Sequence, residues 1–175
     1  FERVGQAGRL GRYPVHFHRM SYADDGSDLG DTPSYVRNIA VSGSRNRCIT
    51  VHATNGVKLE NNVCHDIRGH AIFLEDAVER RTTIEWNLAF AVRKLASGQI
   101  LLAHEGPVFE GGSSGFWITN PDNTLRHNVA ADCQGNGFCY ALPEHSIGAS
   151  TAVSLRPAYM PFGLLTPASW IALQA

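Results

Sequence analysis

The sequence predicts an all-β fold, a parallel β-helix of about four to five rungs, and three observations support it. The stretch RCITVHA can be laid over HAIFLED so that Ile49 aligns with Ile72 and Val51 with Leu74, a step of 23 residues. A triplet of Asn, an aliphatic residue and a small residue recurs along the chain. The segments between turns are short, β-branched or aromatic, and alternate with a period of two, which favours strands over helical repeats.

The apolar columns extend in both directions from this stretch. Upstream, RYPVHFH is predicted to enter the columns of Ile49, Val51 and His52 with Tyr13, Val15 and His16. Downstream, GFWITNP and GFCYALP contribute further members, namely Phe116, Ile118, Thr119, Phe138, Tyr140 and Ala141. Such a repeat cannot bury its apolar face alone and must stack on its neighbours.

The Asn triplets start at Asn38, Asn62, Asn87 and Asn128, in steps of 24, 25 and 41 residues. In a parallel stack, side-chain amides at ~4.8 Å spacing can hydrogen-bond along the column while their backbones turn a corner. The long last step predicts an insertion over residues 93–113. The repeats are therefore expected to span residues 1–163.

Two further segments leave the repeat pattern. Residues 19–33 are predicted to form a projecting loop. Its aspartates could supply oxygen ligands to calcium; they are Asp24, Asp25, Asp28 and Asp31. Their spacing is not that of an EF-hand loop. The alternative is a solvated loop without a bound ion. Residues 164–175 form an irregular apolar tail that suggests truncation. The abrupt start of the chain suggests a fragment of a larger protein.

Composition narrows the function classes and the state of the cysteines. A net charge of −1 argues against nucleic acid as a partner. The sequence contains no run of 18 apolar residues, so no membrane-spanning helix is predicted. The four cysteines form no CxxC pair, which argues against a structural zinc site. Cys64 lies in the small-residue column, as a buried thiol would. Cys133 and Cys139 could form a disulfide in an oxidising compartment.

Strand alternation brings titratable side chains to one outer face. If Val15, Val51 and Leu74 point into the coil, His16, His52 and Glu75 point outward and stack on adjacent rungs. His18 would lie on the same side if its strand continues. The histidines His16, His18 and His52 could then bind a divalent metal.

The same face permits an acid–base interpretation. Glu75 could be a general acid or base, with His52 tuning its pKa and Asp76 as its carboxylate partner if the strand ends at that point. The alternative is that these side chains only hydrogen-bond to one another on a solvated face. His16 completes the set of candidate catalytic residues.

Aromatic and cationic residues near this face predict substrate contacts. Phe73 and Trp117 could form a platform for a sugar ring. Arg37 and Arg47 could hold the carboxylates of an acidic glycan. His70 could contact substrate, although a structural histidine is the alternative.

Several motifs resemble a known family. LGRYPVHFHRM, SYVRN, RCITVHATN, GHAIFLEDAVE and FWITNPDNTLRHNVA are similar to the parallel β-helix region of the fibrocystin-like proteins and their relatives, the cell-migration-inducing hyaluronan-binding protein and transmembrane protein 2. The resemblance places the family's HFH motif on His16 to His18, and its other motifs on His52, His70 and the pair Glu75 and Asp76. Ala53 and Ala77 depart from the family's glycines.

The resemblance implies a right-handed coil, association with a G8 domain and an extracellular or cell-surface location, with any membrane attachment through other parts of the parent protein. It implies binding or hydrolysis of a glycosaminoglycan such as hyaluronan, with calcium as the ion. The rival expectation is a non-enzymatic adhesive segment whose partner is an extracellular protein.

Overall fold

The computed structural model describes residues 1–20, 34–96, 98–99, 112–143, 146–148 and 150. These residues form three parallel sheets that wrap around one core, and the fold is the predicted parallel β-helix. The strands are, in chain order, β1 (Val15–His18), β2 (Tyr35–Arg37), β3 (Ala40–Ser42), β4 (Ile49–His52), β5 (Lys58–Glu60), β6 (Val63–Arg68), β7 (Ile72–Leu74), β8 (Thr83–Glu85), β9 (Leu88–Arg93), β10 (Phe116–Ile118), β11 (Thr124–Arg126), β12 (Val129–Cys133) and β13 (Phe138–Tyr140).

Each rung of the coil contributes one strand to each sheet. A five-stranded sheet has the order β1-β4-β7-β10-β13, and the two four-stranded sheets have the orders β11-β8-β5-β2 and β12-β9-β6-β3. The sequence identified the columns of the first and third sheets. The sheet β11-β8-β5-β2 was not predicted.

The core lies inside the coil and is built from alternate strand residues. In the five-stranded sheet, Ile49 pairs with Ile72 and Val51 with Leu74, as predicted. All four side chains have no exposed surface, and the inner residues of the other two sheets complete one apolar cluster. Stacking therefore buries what a single rung would leave exposed.

The predicted register of the first rung is wrong by two residues. In the structure Val15 pairs with Ile49 and His18 with His52. The prediction had placed Val15 beside Val51 and His16 beside His52. A shift of two residues leaves every side chain on the same face of the sheet, so the alternation could not reveal the error.

The asparagine column is confirmed for three of its four members. Asn62 Nδ2 donates to Asn87 Oδ1 over 2.9 Å, and Asn87 Nδ2 donates to Asn128 Oδ1 over 3.0 Å. Asn38 is one position out of register, since it pairs through its Oδ1 with Asn61 Nδ2 at 2.7 Å. The ladder therefore starts one rung later than predicted.

The sequence predicted that Cys64 is buried, which is confirmed, and left the state of Cys133 and Cys139 open. Cys64 is not a free buried thiol, because it forms a disulfide with Cys48 in the interior of the coil. Cys133 and Cys139 are free. The disulfide joins two inward-facing residues that are 16 positions apart, fewer than the 23 residues of one repeat.

The described part of the chain contains no helix with the length and hydropathy that a membrane span requires. The predicted calcium ligands of the 19–33 loop and the predicted tail over residues 164–175 lie outside the described residues. The insertion begins after Arg93, the last residue of β9, and most of it also lies outside them.

Candidate functional site

Glu75 and Asp76 meet the outward histidine of the previous rung because β7 ends at Leu74. The Glu75 backbone N–H still donates to Val51, and Ala77 then takes a positive φ of 71°, which turns the chain. Asp76 Oδ2 thereby lies 2.7 Å from His52 Nε2, and Glu75 Oε2 lies 4.0 Å from His52 Nδ1. The strand therefore ends before Glu75 and the chain turns after Asp76, which is the condition under which the sequence predicted that the two carboxylates could act together.

A distant segment holds Asp76 in place. Ser150 donates both its backbone N–H, over 3.0 Å, and its hydroxyl, over 2.8 Å, to Asp76 Oδ2. The backbone N–H of Ile147 donates to the Asp76 carbonyl over 3.0 Å. Asp76 has no exposed surface and Glu75 only 1%. The carboxylates are therefore buried and covered in part by residues near position 150, whereas the sequence had suggested a solvated face.

Glu79 is a third buried carboxyl group, and the sequence analysis missed it. Its Oε1 accepts the Ala53 N–H over 2.7 Å and its Oε2 accepts the Asp76 N–H over 3.0 Å. Burial raises the pKa of Glu79 to about 7, although these hydrogen bonds act in the opposite direction. The available signal was its position three residues after Asp76, where a side chain can reach back to the turn.

Three histidines lie beside the carboxylates at the edge of the five-stranded sheet. The rings of His16 and His52 are nearly parallel, 6.0 Å apart, and the ring of His18 lies at 64° to both. His18 Nδ1 is 3.0 Å from His52 Nδ1. His18 is exposed, His16 is partly buried and His52 is buried. We call His16, His18, His52, Glu75 and Asp76 the His–carboxylate cluster.

The environment separates the pKa values of the three imidazoles. Burial, with the charges of His18 and His52, lowers the pKa of His16 to about 4. Burial and the neighbouring His52 also lower the pKa of His18. Burial alone would lower the pKa of His52, but the hydrogen bond with Asp76 and the charges of the nearby carboxylates outweigh it and raise the pKa.

The predicted sugar platform is buried. Phe73 and Trp117 lie side by side on the outer face, as expected, but neither has any exposed surface. The guanidinium of Arg47 lies 3.9 Å from the centre of the Phe73 ring and is also fully buried. His70 stacks on Trp117 at 4.2 Å and its Nδ1 accepts the Ser114 N–H over 2.9 Å. In the described structure these four predicted substrate contacts form a packed layer beside the cluster.

Arg37 lies on another sheet and does not join the cluster. It ends β2 and lines a groove of about 400 Å³ with Asn38, Glu60, Asn61 and Trp86. Trp86, which the sequence analysis did not select, is 58% exposed and stacks on His127 at 4.1 Å. An exposed aromatic side chain therefore lies beside an arginine in this groove, on a different sheet from the His–carboxylate cluster.

Two overlapping sets of side chains in the cluster have the spacing of metal ligands. His16, His18 and His52 form one set, and His52, Glu75 and Asp76 form the other. Within each set the ligand atoms lie within 4.8 Å of one another. In the second set, His52 Nε2 and Asp76 Oδ2 lie 2.7 Å apart, a distance suited to proton transfer, whereas Glu75 Oε2 is 4.0 Å from His52 Nδ1.

Comparison with known proteins identifies relatives over most of the chain. The family model described as CEMIP beta-helix matches residues 1–167. Fibrocystin-L of Mus musculus is 38% identical over 162 residues, which are 91% of this chain and 3% of that protein. A protein of Danio rerio named cell surface hyaluronidase is 33% identical over 168 residues, which are 85% of this chain and 12% of that protein.

A human cell surface hyaluronidase is 30% identical over 181 residues, covering 93% of this chain and 13% of the relative. The chain therefore corresponds to a small part of each of these proteins. Two of these relatives are named as cell surface hyaluronidases, and the third, fibrocystin-L, has a name that states no activity.

Proposed function

The chain belongs to the CEMIP beta-helix family, and from that premise we propose that it is a segment of a cell-surface protein that engages a glycosaminoglycan such as hyaluronan and hydrolyses it at the His–carboxylate cluster. The observation that carries the proposal is the convergence of His52, Glu75 and Asp76 at one strand end, with ligand atoms within 4.8 Å of one another. The names of the zebrafish and human relatives support the choice of polymer.

The spacing of the carboxylates favours one stereochemical course. Inverting glycosidases hold their carboxyl groups roughly 6.5–9.5 Å apart to admit a water, whereas retaining enzymes hold them about 5–5.5 Å apart. One oxygen of Glu75 lies within 4.8 Å of one oxygen of Asp76, which is shorter than the spacing of inverting enzymes. This short separation supports a retaining reaction.

In that reaction each carboxyl group has a separate role. Asp76, held by Ser150 and His52, attacks the anomeric carbon while Glu75 donates a proton to the departing glycosidic oxygen. Water then hydrolyses the glycosyl ester, and Glu75 takes up a proton from that water. His52 is a positioning residue, because its ring contacts both carboxylates.

The test is the size distribution of high-mass hyaluronan after incubation with the 175-residue chain, in calcium and in chelator. We expect the wild type to shorten the polymer. Glu75→Gln should abolish shortening, because the amide cannot donate or take up the proton, and should leave the circular dichroism spectrum unchanged. Normal turnover by the Glu75→Gln variant would remove Glu75 from the mechanism.

Glu60→Gln is the matched control. Glu60 is a carboxylate on β5, in a different sheet, where it pairs with Lys58 at 3.3 Å. The control should shorten hyaluronan as the wild type does. Equal loss of activity in both variants would indicate a general effect of the substitutions and would count against the assigned role.

The second candidate function is a non-enzymatic adhesive segment that binds an extracellular protein. The observation that favours it is the saturation of Asp76 Oδ2, which accepts two hydrogen bonds from Ser150 and contacts His52. These contacts give the Asp76 carboxylate a structural role that requires no reaction. Unchanged hyaluronan with a demonstrably folded wild type would select this function.

A further inference from the structure

We propose that His16, His18 and His52 form a binding site for a divalent transition metal ion, with zinc as the best match. The three side chains come from two neighbouring strands, β1 and β4, at the edge of the five-stranded sheet. His16 and His18 are two residues apart on one strand and therefore face the same side. His52 joins them because it pairs directly with His18.

The nitrogen atoms have the separation that a shared ion requires. Four ligands around zinc at bond lengths of about 2.0–2.1 Å lie roughly 3.3 Å from one another. In the structure the Nδ1 atoms of His18 and His52 are 3.0 Å apart, and the ligand atoms of all three histidines lie within 4.8 Å. Small rotations of the rings bring this set to the ideal distances.

A carboxylate orients the innermost ligand from behind. His52 Nε2 lies 2.7 Å from Asp76 Oδ2, so the Nε2–H donates there and Nδ1 is directed toward the other histidines. Asp76 is itself fixed by the N–H and hydroxyl of Ser150. A carboxylate that fixes the tautomer of a histidine is the usual second layer of a zinc site.

The donor atoms decide the class of metal. Imidazole nitrogens suit zinc, copper, iron and nickel, whereas calcium and magnesium require oxygen ligands. Three imidazoles leave one position for water, and the exposed His18 places that position toward solvent. The site therefore has the open form typical of catalytic zinc and not the closed form of structural zinc.

This inference stands apart from the proposed function, because metal binding is measured with no polysaccharide present. A chain that binds zinc and leaves hyaluronan intact would retain the site and remove the hydrolase. A chain that shortens hyaluronan and binds no zinc would retain the proposed hydrolase and remove the metal site.

The test is calorimetric titration of the chelator-treated chain with zinc chloride, followed by zinc X-ray absorption of the complex. We expect one ion per chain with nitrogen and oxygen scattering. His18→Gln should lower the affinity at least about tenfold, and Asp76→Asn about 10- to 100-fold. His18 is exposed, so its substitution should leave the fold intact.

Two variants serve as controls. His65→Gln alters an exposed histidine outside the set and should bind zinc as the wild type does. Glu75→Gln should lower the affinity less than His18→Gln does, and an equal or larger loss would assign the ion to the carboxylate set instead. Absence of binding, or sulfur scattering from the free cysteines Cys133 and Cys139, would overturn the proposal.

Discussion

At the scale of single residues, the molecule concentrates buried charge at the end of β7. Asp76, Glu79 and Glu75 have at most 1% exposed surface, and besides the local bond from the Asp76 N–H to Glu79 they are tied to the previous rung and to the chain near residue 150. Buried charges are costly unless they are paired. The pH response of the fold should therefore originate from this region.

Glu79 gives the first stability prediction. Its pKa of about 7 in the folded chain lies above the ordinary value of 4.5, so its contribution is fully present below pH 4.5 and is lost as the pH rises through 7. Glu79 alone should therefore lower the free energy of unfolding between pH 5 and pH 8 by up to about 3 kcal/mol, while His16, whose pKa is lowered to about 4, acts in the opposite direction below pH 6.5. Urea denaturation in the presence of chelator at pH 5, 6, 7 and 8 measures the change in the free energy of unfolding.

Glu79→Gln cannot titrate and should show a smaller fall over the same pH range. The amide cannot accept both backbone N–H groups, so we also expect a lower free energy of unfolding at pH 5, by about 1–3 kcal/mol. Parallel pH profiles for the two proteins would contradict the raised pKa of Glu79.

At the scale of the secondary-structure elements, a polar ladder of Asn62, Asn87 and Asn128 holds one corner of three consecutive rungs. The position just before the ladder uses the left-handed backbone region, with φ between 53° and 59° at Asn38, Asn61, Trp86 and His127. Asparagine tolerates that region, whereas tryptophan and histidine adopt it at a cost of roughly 1–2 kcal/mol each. The strands on both sides impose the turn.

Asn87 is the central residue of the ladder, and its removal should destabilise the fold. Its Nδ2 donates to the carbonyls of Leu59 and Glu85 and to Asn128, while its Oδ1 accepts from Asn62. Asn87→Ala leaves several of these buried groups unpaired, so we expect a loss of about 3 kcal/mol in the free energy of unfolding. Chemical denaturation of the variant and the wild type gives the difference.

Asn38→Ala is the control for the ladder. Asn38 makes an exposed hydrogen bond with Asn61 and lies outside the buried column. Its substitution should cost less than that of Asn87, about 1–2 kcal/mol, because the alanine loses an exposed hydrogen bond and must adopt the positive φ of 58° at this position. If the two alanine variants are equally stable, the ladder is not a source of stability and the asparagines serve only the turn.

At the scale of the whole molecule, the coil is held by stacking and by one covalent link among the described residues. Rungs contact only their neighbours, so stability depends on every interface between rungs. The Cys48–Cys64 disulfide crosses the interior of the coil within one 23-residue repeat. Disulfides persist in oxidising compartments, which agrees with the proposed cell-surface location.

The disulfide gives the stability prediction for the whole fold. Cross-linking residues 16 apart should lower the entropy of the unfolded chain and stabilise the fold by about 3 kcal/mol. The double variant Cys48→Ala and Cys64→Ala should unfold at correspondingly lower urea concentration. Cys133→Ala, which removes a free thiol, should leave the midpoint nearly unchanged. A midpoint for the double variant equal to that of the wild type would refute the stabilising role.

The sequence by itself determined the parallel β-helix, its inner face and the proximity of His52 to Glu75. These follow from the 23-residue step between apolar columns, since stacked rungs bring equivalent positions together whatever lies between them. The alternation also placed His16, His18, Phe73 and Trp117 on the outer side correctly. The pattern assigned the wrong face at Ala40, which was predicted in the column of Cys64 but is exposed and pairs with Val63.

Only the tertiary structure decided the register of His16 and His18, the disulfide of Cys64, the role of Glu79 and the burial of the outer face. A pattern of period two cannot detect a shift by two residues, and buried cysteines have the same periodicity whether bonded or free. Phe73 and Asp76 are buried on a face that the pattern marks as outer, with Ser150, 74 residues away, bonded to Asp76. Such long-range contacts depend on where the folded chain returns, which the local sequence at Asp76 does not encode.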